Sequence, residues 1–546
     1  MQSQGLLTTP PPGQVGRRMR AGMLWRQQWG TLHVISLLVT LLLLLPLAYL
    51  VIRAAGVGAE KAVDLLLRPR TMEILRNSAL LAFTVTACSL LISLPLAWLT
   101  TRTDLPGRRL WSVLATLPLV FPSYIGAFAL IAMVGPRGML QGWLEPLGIE
   151  RLRSIYGFLG AAWVLTNFTY PYLLLSLRAG FRRIDPAQEE AARSLGYTAW
   201  QGFWRVTVPQ LRPSMIAGSL LVALYVISDF GAVATMRYTT FTRAIYVQYL
   251  SSFDRSLASL LALVLVIMTV CLLIATQAIQ GRRTLYRSGT GMRQPRRVAL
   301  GRWRWPALGF CTLLVLNTLV LPTTVILYWF IRGVAGGESF LPVWEATFNS
   351  VKVSTLAAVV SICFALPVAY LSVRFPTKLA LWLSRIVYMG YGLPGIVIAL
   401  SLVFFGANYL TPLYQTLAML IFAYTVRFLP QAMGALRANL LQISPRLEEA
   451  GRGLGLTQRQ TLWQVTAPLM RPGLWTSVAL VFLSTIKELP ATLLLGPTGF
   501  STLATQIWSA TAEAFFARAA APALLLLLVS TLSIVIILQQ EERGAA

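Results

Sequence analysis

The sequence predicts an all-α polytopic membrane protein of about twelve transmembrane helices, arranged as two parallel six-helix repeats related by a pseudo-twofold axis. Three observations carry this. Of 546 residues, 56% are hydrophobic and only 12% are charged, about half the roughly 25% of a soluble protein. Twelve stretches reach the ~20 apolar residues that a bilayer-spanning helix needs. The second half of the chain also repeats the first. Together these exclude a disordered chain, a coiled coil and an ordinary cytosolic enzyme.

The spans fall at about 33–53, 79–99, 110–134, 155–178, 214–236, 257–279, 305–331, 351–373, 382–406, 413–436, 473–495 and 519–539. The first follows a basic tail (Arg17, Arg18, Arg20, Arg26). Its apolar run is longer than a signal-peptide core of about 7–15 residues, so it is expected to be a retained anchor. If the N-terminus is cytoplasmic, the tails and loops on that side hold 30 of the 46 Lys+Arg. The other side then holds 14, and Arg427 and Lys487 lie within spans. Cytoplasmic loops collect Lys and Arg, which predicts that both termini are cytoplasmic.

The repeat begins with NSALLAFTVTACSLLISLPLAWLTTR from Asn77 and NSVKVSTLAAVVSICFALPVAYLSVR from Asn349, an offset of 272 that also places Pro95 on Pro367 and Pro122 on Pro394. After a longer loop in the first half the offset is 259, and it places Pro171 on Pro430, Gly196 on Gly455 and Pro209 on Pro468. An even number of spans separates the copies, so they share one orientation. The predicted organisation is an N-terminal tail (1–32), a first six-helix domain (33–280), a basic linker with eight arginines (281–304), a second six-helix domain (305–540) and a short tail (541–546).

The net charge of +27 would suggest nucleic acid in a soluble protein. Here the basic cytoplasmic loops account for it, and no nucleic-acid partner is expected. The four cysteines (Cys88, Cys271, Cys311, Cys363) lie in apolar stretches without CxxC spacing, so neither a zinc site nor a disulfide framework is indicated. They are expected to be small packing residues. A single histidine, His33, excludes any histidine cluster.

The most informative segment is long, predicted cytoplasmic and present twice: IDPAQEEAARSLGYTAWQGFWRVTVPQLRPSM from Ile184 (loop about 184–213) and ISPRLEEAGRGLGLTQRQTLWQVTAPLMRPGL from Ile443 (loop about 443–472). Each reads as helix, turn, helix. Asp185–Pro186 and Ser444–Pro445 supply an N-cap acceptor and a proline at the first helical position. Gly196 and Gly455 stop that helix with a left-handed residue. Thr198 with Gln201, and Thr457 with Gln460, form capping boxes for a second short helix. That helix presents Phe203 and Trp204, or Leu462 and Trp463, and Pro209 and Pro468 are expected to end it. An ordinary connection has about 4–6 residues, and these exceed 30. A self-stabilising surface loop is one explanation; a pair of apolar-tipped elements kept on one side favours docking to a partner.

Glu190, Ala191, Ala192, Gly196 and Pro209, repeated as Glu449, Ala450, Gly451, Gly455 and Pro468, resemble the EAA loop of ABC importer permeases. Gly451 departs from the pattern by replacing the second alanine. The resemblance covers nearly the whole chain as two fused permease domains of the type I importer kind. It implies a multi-pass protein of the bacterial inner membrane with three kinds of contact: two copies of a cytoplasmic ABC ATPase that receive the loops, a periplasmic substrate-binding protein, and membrane lipid. ATP and magnesium would be bound by the ATPase, and no cofactor by this chain. A phosphate-cradling loop needs G-x-x-x-x-G-K-[ST]. None of the four lysines (Lys61, Lys352, Lys378, Lys487) follows a glycine, so the chain is expected to be a translocation subunit without catalytic residues.

SDFGAVATMRYTTFTRAIY from Ser228 and KELPATLLLGPTGFSTLATQIW from Lys487 are similar to segments of ferric-iron permeases, which implies ferric iron as cargo. Thiamine, polyamine, sulfate and phosphonate permeases share the architecture and stay as alternatives. Ferric iron is a hard cation that prefers oxygen ligands. Asp229 and Glu488 are repeat-equivalent and fall inside predicted spans, where ionisable groups usually face a bundle interior or water path. With Lys487 they are candidates for the translocation path, expected to guide a cation without binding metal tightly. The competing possibility is a structural ion pair of Glu488 with Lys487 or Arg427. A gradient-driven secondary transporter also has parallel six-helix repeats, and RTDLPGRRL is similar to a loop of that superfamily, but the paired docking loops argue against it. A membrane enzyme would need a clustered nucleophile, histidine or metal motif, and none is seen.

Overall fold

The computed structural model describes residues 12–136, 138–147, 154–251, 256–280, 298–339 and 341–545. Nearly all of them are helical, as the composition predicts, and the protein is an all-α, multi-pass membrane protein. Among the described residues ten helices are long and apolar enough to cross a membrane, or eleven when the bent pair Lys378–Gly392 and Gly395–Tyr409, at 104°, counts as one span. Large apolar side chains such as Phe83, Leu91 and Leu313 stand on the outside of the bundle, as suits a surface surrounded by lipid instead of water. Cys271 and Cys363 are exposed there too, which corrects their expected packing role; Cys311 alone is buried and Cys88 is half-buried.

The repeat is reproduced in packing. In the first half, Pro69–Arg102 lies against Phe158–Arg183, and Val208–Ser228 packs on both. In the second, Leu341–Arg374, Leu417–Gln442 and Ala467–Thr485 make the same trio. The first helix of each half crosses to the other half. Tyr49, from Pro12–Ala55, donates its hydroxyl to the Phe404 carbonyl at 3.4 Å, and Trp329, from Leu321–Ala335, donates its indole N–H to the Ala132 carbonyl at 3.0 Å. Ala132 and Phe404 are equivalent under the 272 offset, so one interlock is made twice.

Four predicted spans are not continuous helices. Spans 110–134 and 382–406 break at Phe121–Pro122 and Leu393–Pro394, where both residues are extended. The clash of a proline ring with the preceding residue disfavours helix there. Spans 214–236 and 473–495 stop at Ser228 and Thr485, and short helices resume at Gly231–Thr235 and Pro490–Leu495. Asp229 and Glu488 therefore sit at breaks and not inside spans. In the first break, the Asp229 carboxylate accepts from the Ala232 amide at 2.9 Å and the Val233 amide at 3.4 Å, so it caps the helix that follows. The helix predicted to begin at 33 starts at Pro12. Linker residues 281–297 lie outside the described residues. The linker's end is anchored to the first half: the Val298 amide donates to the Arg102 carbonyl at 2.8 Å, and the Leu300 amide to Asp104 at 2.9 Å.

Candidate functional site

Each loop adopts the predicted helix, turn and helix, but the expected N-cap bond forms in the first copy and not in the second. Asp185 caps Pro186–Ser194 by accepting from the Ala187 amide, whereas Ser444 stands at the cap of Pro445–Gly453 without a side-chain bond. Gly196 and Gly455 are left-handed, at φ +87 and +92, with open space where a Cβ would stand. The amides of Tyr197 and Leu456 reach back to the carbonyls of Ala192 and Gly451 at 3.1 Å, closing a Schellman turn. Ala192 is buried under the turn, and Gly451 is buried in the same place, its missing methyl facing Val465, Leu456 and Thr461. The reciprocal Thr198–Gln201 and Thr457–Gln460 bonds are present.

The expectation that Pro209 and Pro468 end the second helix is corrected. Helix runs unbroken over Trp200–Ser228. A π-turn precedes each proline, at Phe203–Thr207 and Leu462–Thr466, with the amides of Val208 and Ala467 bonded five residues back. The wide turn accommodates a ring that would otherwise collide with the preceding turn.

Glu190, Ala191, Glu449 and Ala450 are exposed. The anchors are the preceding glutamates, Glu448 buried and Glu189 half-buried. Glu189 accepts from Arg102 at 3.1 Å and from the Thr207 hydroxyl at 3.0 Å. Glu448 accepts from Arg374 at 2.9 Å, Thr466 at 3.1 Å and Tyr370 at 3.3 Å. Arg102 and Arg374, Glu189 and Glu448, and Thr207 and Thr466 are repeat-equivalent. One latch thus ties each loop to the end of a core helix, and both loops stand on the same face. The signal for it lay in the arginine that closes both copies of the first repeat segment. Beyond the latches the loops present Leu195, Trp200 and Trp204, or Leu447, Leu454 and Trp463, all exposed.

At the other end of Val208–Ser228 and Ala467–Thr485 lies a buried polar layer. Asp229 and Glu488 are 8% and 6% exposed. Asp229 accepts from the Ser123 hydroxyl as well as from its own two helix amides. Glu488 pairs through Oε2 with Arg427 at 3.2 Å, while its Oε1 is buried without a hydrogen-bond partner. Gly395 makes that pair possible, because a Cβ there would run into both the Arg427 guanidinium and the Glu488 carboxylate. Arg427 also acts electrostatically on Asp229. Lys487 does not join its neighbour; it crosses to the first half and donates to the Leu119 carbonyl at 2.9 Å. Of the two structural pairs considered for Glu488, the Arg427 pair is the one formed. On the outer side of Asp229, Phe230 packs against Tyr246 at 4.8 Å and Trp508 at 5.2 Å between centroids, an aromatic floor over the layer. Among the described residues no group of three or more His, Cys, Asp or Glu could hold a metal ion.

The sequence matches the family described as binding-protein-dependent transport system inner membrane component over residues 89–284 and 361–543, one stretch in each repeat. The Fe(3+)-transport system permease protein FbpB 2 of Haemophilus influenzae is 35% identical over 498 residues, covering 90% of this chain and 94% of that protein. The ferric transport system permease protein FbpB of Actinobacillus pleuropneumoniae is 24% identical over 464 residues, 80% of this chain and 66% of that protein. The sulfate transport system permease protein CysT of Escherichia coli is 29% identical over 251 residues, 45% of this chain and 90% of that protein.

Proposed function

The chain belongs to the binding-protein-dependent transport system inner membrane components, and we propose that it is the permease of an ATP-driven importer whose cargo is ferric iron. The observation that carries the transport reading is the pair of equivalent latches, Arg102–Glu189–Thr207 and Arg374–Glu448–Thr466. They hold two apolar-tipped loops rigidly on one face, an arrangement suited to two copies of a cytoplasmic ATPase. The 30-to-14 excess of Lys+Arg supports the reading that this face and both termini are cytoplasmic, in a bacterial inner membrane. ATP and magnesium belong to the ATPase, and a periplasmic binding protein delivers cargo to the opposite face. Glu190, Ala191, Gly196, Pro209 and their counterparts shape the docking surface; the chain itself performs no catalysis.

Ferric iron is supported by the Haemophilus relative's name and by the polar layer. Asp229 and Glu488 offer carboxylate oxygens. Such a layer suits a hard cation guided in passing. Sulfate is the second reading, favoured by the half-length relatives named as sulfate permeases.

The test is uptake of radiolabelled ferric iron and of sulfate in cells carrying the chain with its ATPase and binding protein. Iron uptake should need ATP and survive collapse of the proton gradient. Uptake abolished by a protonophore with ATP intact would identify a gradient-driven transporter instead. Saturable sulfate uptake without iron uptake would move the cargo to the second reading.

A further inference from the structure

We propose that the cavity on the face opposite the docking loops is a binding site for a small oxyanion or carboxylate, gripped by Arg237 and Arg243. The cavity has a volume of about 580 Å³, within the roughly 300–1,000 Å³ of small-ligand sites. Tyr156, Arg237, Arg243 and Tyr246 come to it from the first half, and Trp508 and Ala514 from the second. Its place in the membrane follows from Pro69–Arg102. Arg102 holds the docking loop at one end, and Asn77, near the other, donates to the Thr239 carbonyl at 3.3 Å. From Asn77 to Arg102 the helix rises about 38 Å.

The two guanidiniums are held in place. Arg243 donates to the Arg237 carbonyl at 2.9 Å and to the Thr239 hydroxyl at 3.0 Å. Arg237 lies over the Tyr156 ring, 4.9 Å from its centroid. Among the described residues no carboxylate forms a salt bridge with either one. Burial, and then the neighbouring charge of Arg237, pulls the Arg243 guanidinium below its ordinary value, as two cations facing one space should. Planar guanidiniums match carboxylates and oxyanions and repel bare cations. Phe230, Tyr246 and Trp508 separate the site from Asp229.

The backbone carries a second, independent sign. Asn77 and Ser78 bond Thr239 and Phe241 as Asn349 and Ser350 bond Ser501 and Leu503, so the offset here is 262. Under it Arg237 corresponds to Gly499 and Arg243 to Thr505. Arg237 is left-handed at φ +55, and Gly499 is left-handed at φ +79. The turn therefore suits glycine, yet the first half keeps a strained arginine. Ala514, on the same cavity, is another non-glycine residue at positive φ (+61). Strain retained around a charged cavity marks sites where side-chain chemistry outweighs backbone preference. This inference rests on the cavity alone and stands or falls independently of the cargo.

The experiment is calorimetric titration of the full chain in lipid nanodiscs, without iron, with phosphate, sulfate and citrate at low ionic strength. Wild type should bind at least one of them saturably. Arg237→Gly, which installs the counterpart residue and relieves the turn, should bind about tenfold more weakly with an unfolding midpoint unchanged or raised. Arg237→Gly with Arg243→Thr should show no saturable binding; the single Arg237 variant keeps the test usable if the double variant fails to insert. Absence of saturable binding to wild type, or equal affinity in the variants, overturns the proposal. So does a loss of binding-protein affinity in the variants with anion affinity unchanged, because the arginines would then hold a protein carboxylate.

Discussion

Asp229 and Glu488 occupy the same place in the two halves, yet their partners differ in kind. In the first half Ser123 supplies a hydroxyl, and the counterpart of Arg427 is Phe168, which packs on Phe121 at 5.5 Å. In the second half the counterpart of Ser123 is Gly395, and the space it leaves is filled by Arg427. The two exchanges depend on each other: arginine needs the missing side chain, and serine would occupy its place. A second equivalent pair follows the same pattern, with Tyr172 and Tyr225 rings 5.6 Å apart in one half and a 2.7 Å Ser484–Gln431 hydrogen bond in the other. One backbone thus carries two chemistries, a carboxylate held by hydrogen bonds and an ion-paired one.

The largest effect on stability is expected where that difference is deepest. Gly395→Ala places a methyl in the Arg427–Glu488 pair, and breaking a buried pair costs about 3–5 kcal/mol. Ser123→Ala removes one hydrogen bond from Asp229 and should cost about 1–2 kcal/mol. Thermal unfolding of the purified chain in one detergent compares them. Phe168 packs where a Cβ on Gly126 would stand, and the counterpart of Gly126 is Ile398. Rebuilding the first-half chemistry therefore takes Gly395→Ser, Arg427→Phe and Ile398→Gly together, which should recover much of the loss. A triple variant no more stable than Gly395→Ala would show that the exchange of Arg427 and Phe168 is not what distinguishes the halves.

The latches come next. Arg374 and Glu448 are 6% and 10% exposed, whereas Glu189 is 32% exposed and lacks a counterpart of the Tyr370 bond. Trp98, which stands where Tyr370 does, packs on Phe203. Glu448→Ala should therefore cost about 3–5 kcal/mol and Glu189→Ala, more solvated, about 1–2 kcal/mol. Protease nicking of the two loops under native conditions would show which one loosens. Equal nicking would mean that the third bond adds nothing.

What the sequence made legible divides along the same lines. Apolar runs, the repeat and the loop signals at Asp185, Gly196, Gly455 and the two Thr–Gln boxes are local, and the helices, the turns and the paired loops follow from them. Contacts between distant residues were less visible. The Arg102–Glu189 latch joins residues 87 apart, and the EAA pattern draws attention to Glu190, the exposed neighbour. Hydropathy averages over the breaks at Phe121–Pro122 and Asp229–Phe230, so four broken segments read as continuous spans. Arg237 and Arg243 look like ordinary loop charges, and a three-residue insertion in the second copy hides that they correspond to Gly499 and Thr505.

Glycine substitution in the loops is expected to act about equally in both halves. The Cβ positions of Gly196 and Gly455 are open, so the penalty is backbone alone. A left-handed L-residue costs roughly 1–2 kcal/mol, and a β-branched one more. Gly196→Val and Gly455→Val should each uncouple the loop from its partner, read as loss of ATPase copurification at wild-type membrane levels. Retention of the ATPase by the double variant would remove these turns from the docking surface.

The smallest stability change belongs to Asp229→Asn. Asparagine keeps a carbonyl oxygen for the Ala232 and Val233 amides and an amide group that can turn toward the Ser123 oxygen, so the cap survives. Arg427 keeps Glu488 as its direct partner, so no buried cation is orphaned. The unfolding midpoint should move by no more than about 1 kcal/mol equivalent. Glu488→Gln differs because it removes the counter-charge of Arg427, and its stability loss should be larger. If the two carboxylates guide a passing cation, Asp229→Asn lowers uptake at unchanged stability, membrane level and ATPase coupling. The double Asp229→Asn, Glu488→Gln variant lowers it further. Unchanged uptake in that double variant would assign both residues to structure alone: Asp229 as the cap of a broken helix, and Glu488 as the anchor for Arg427.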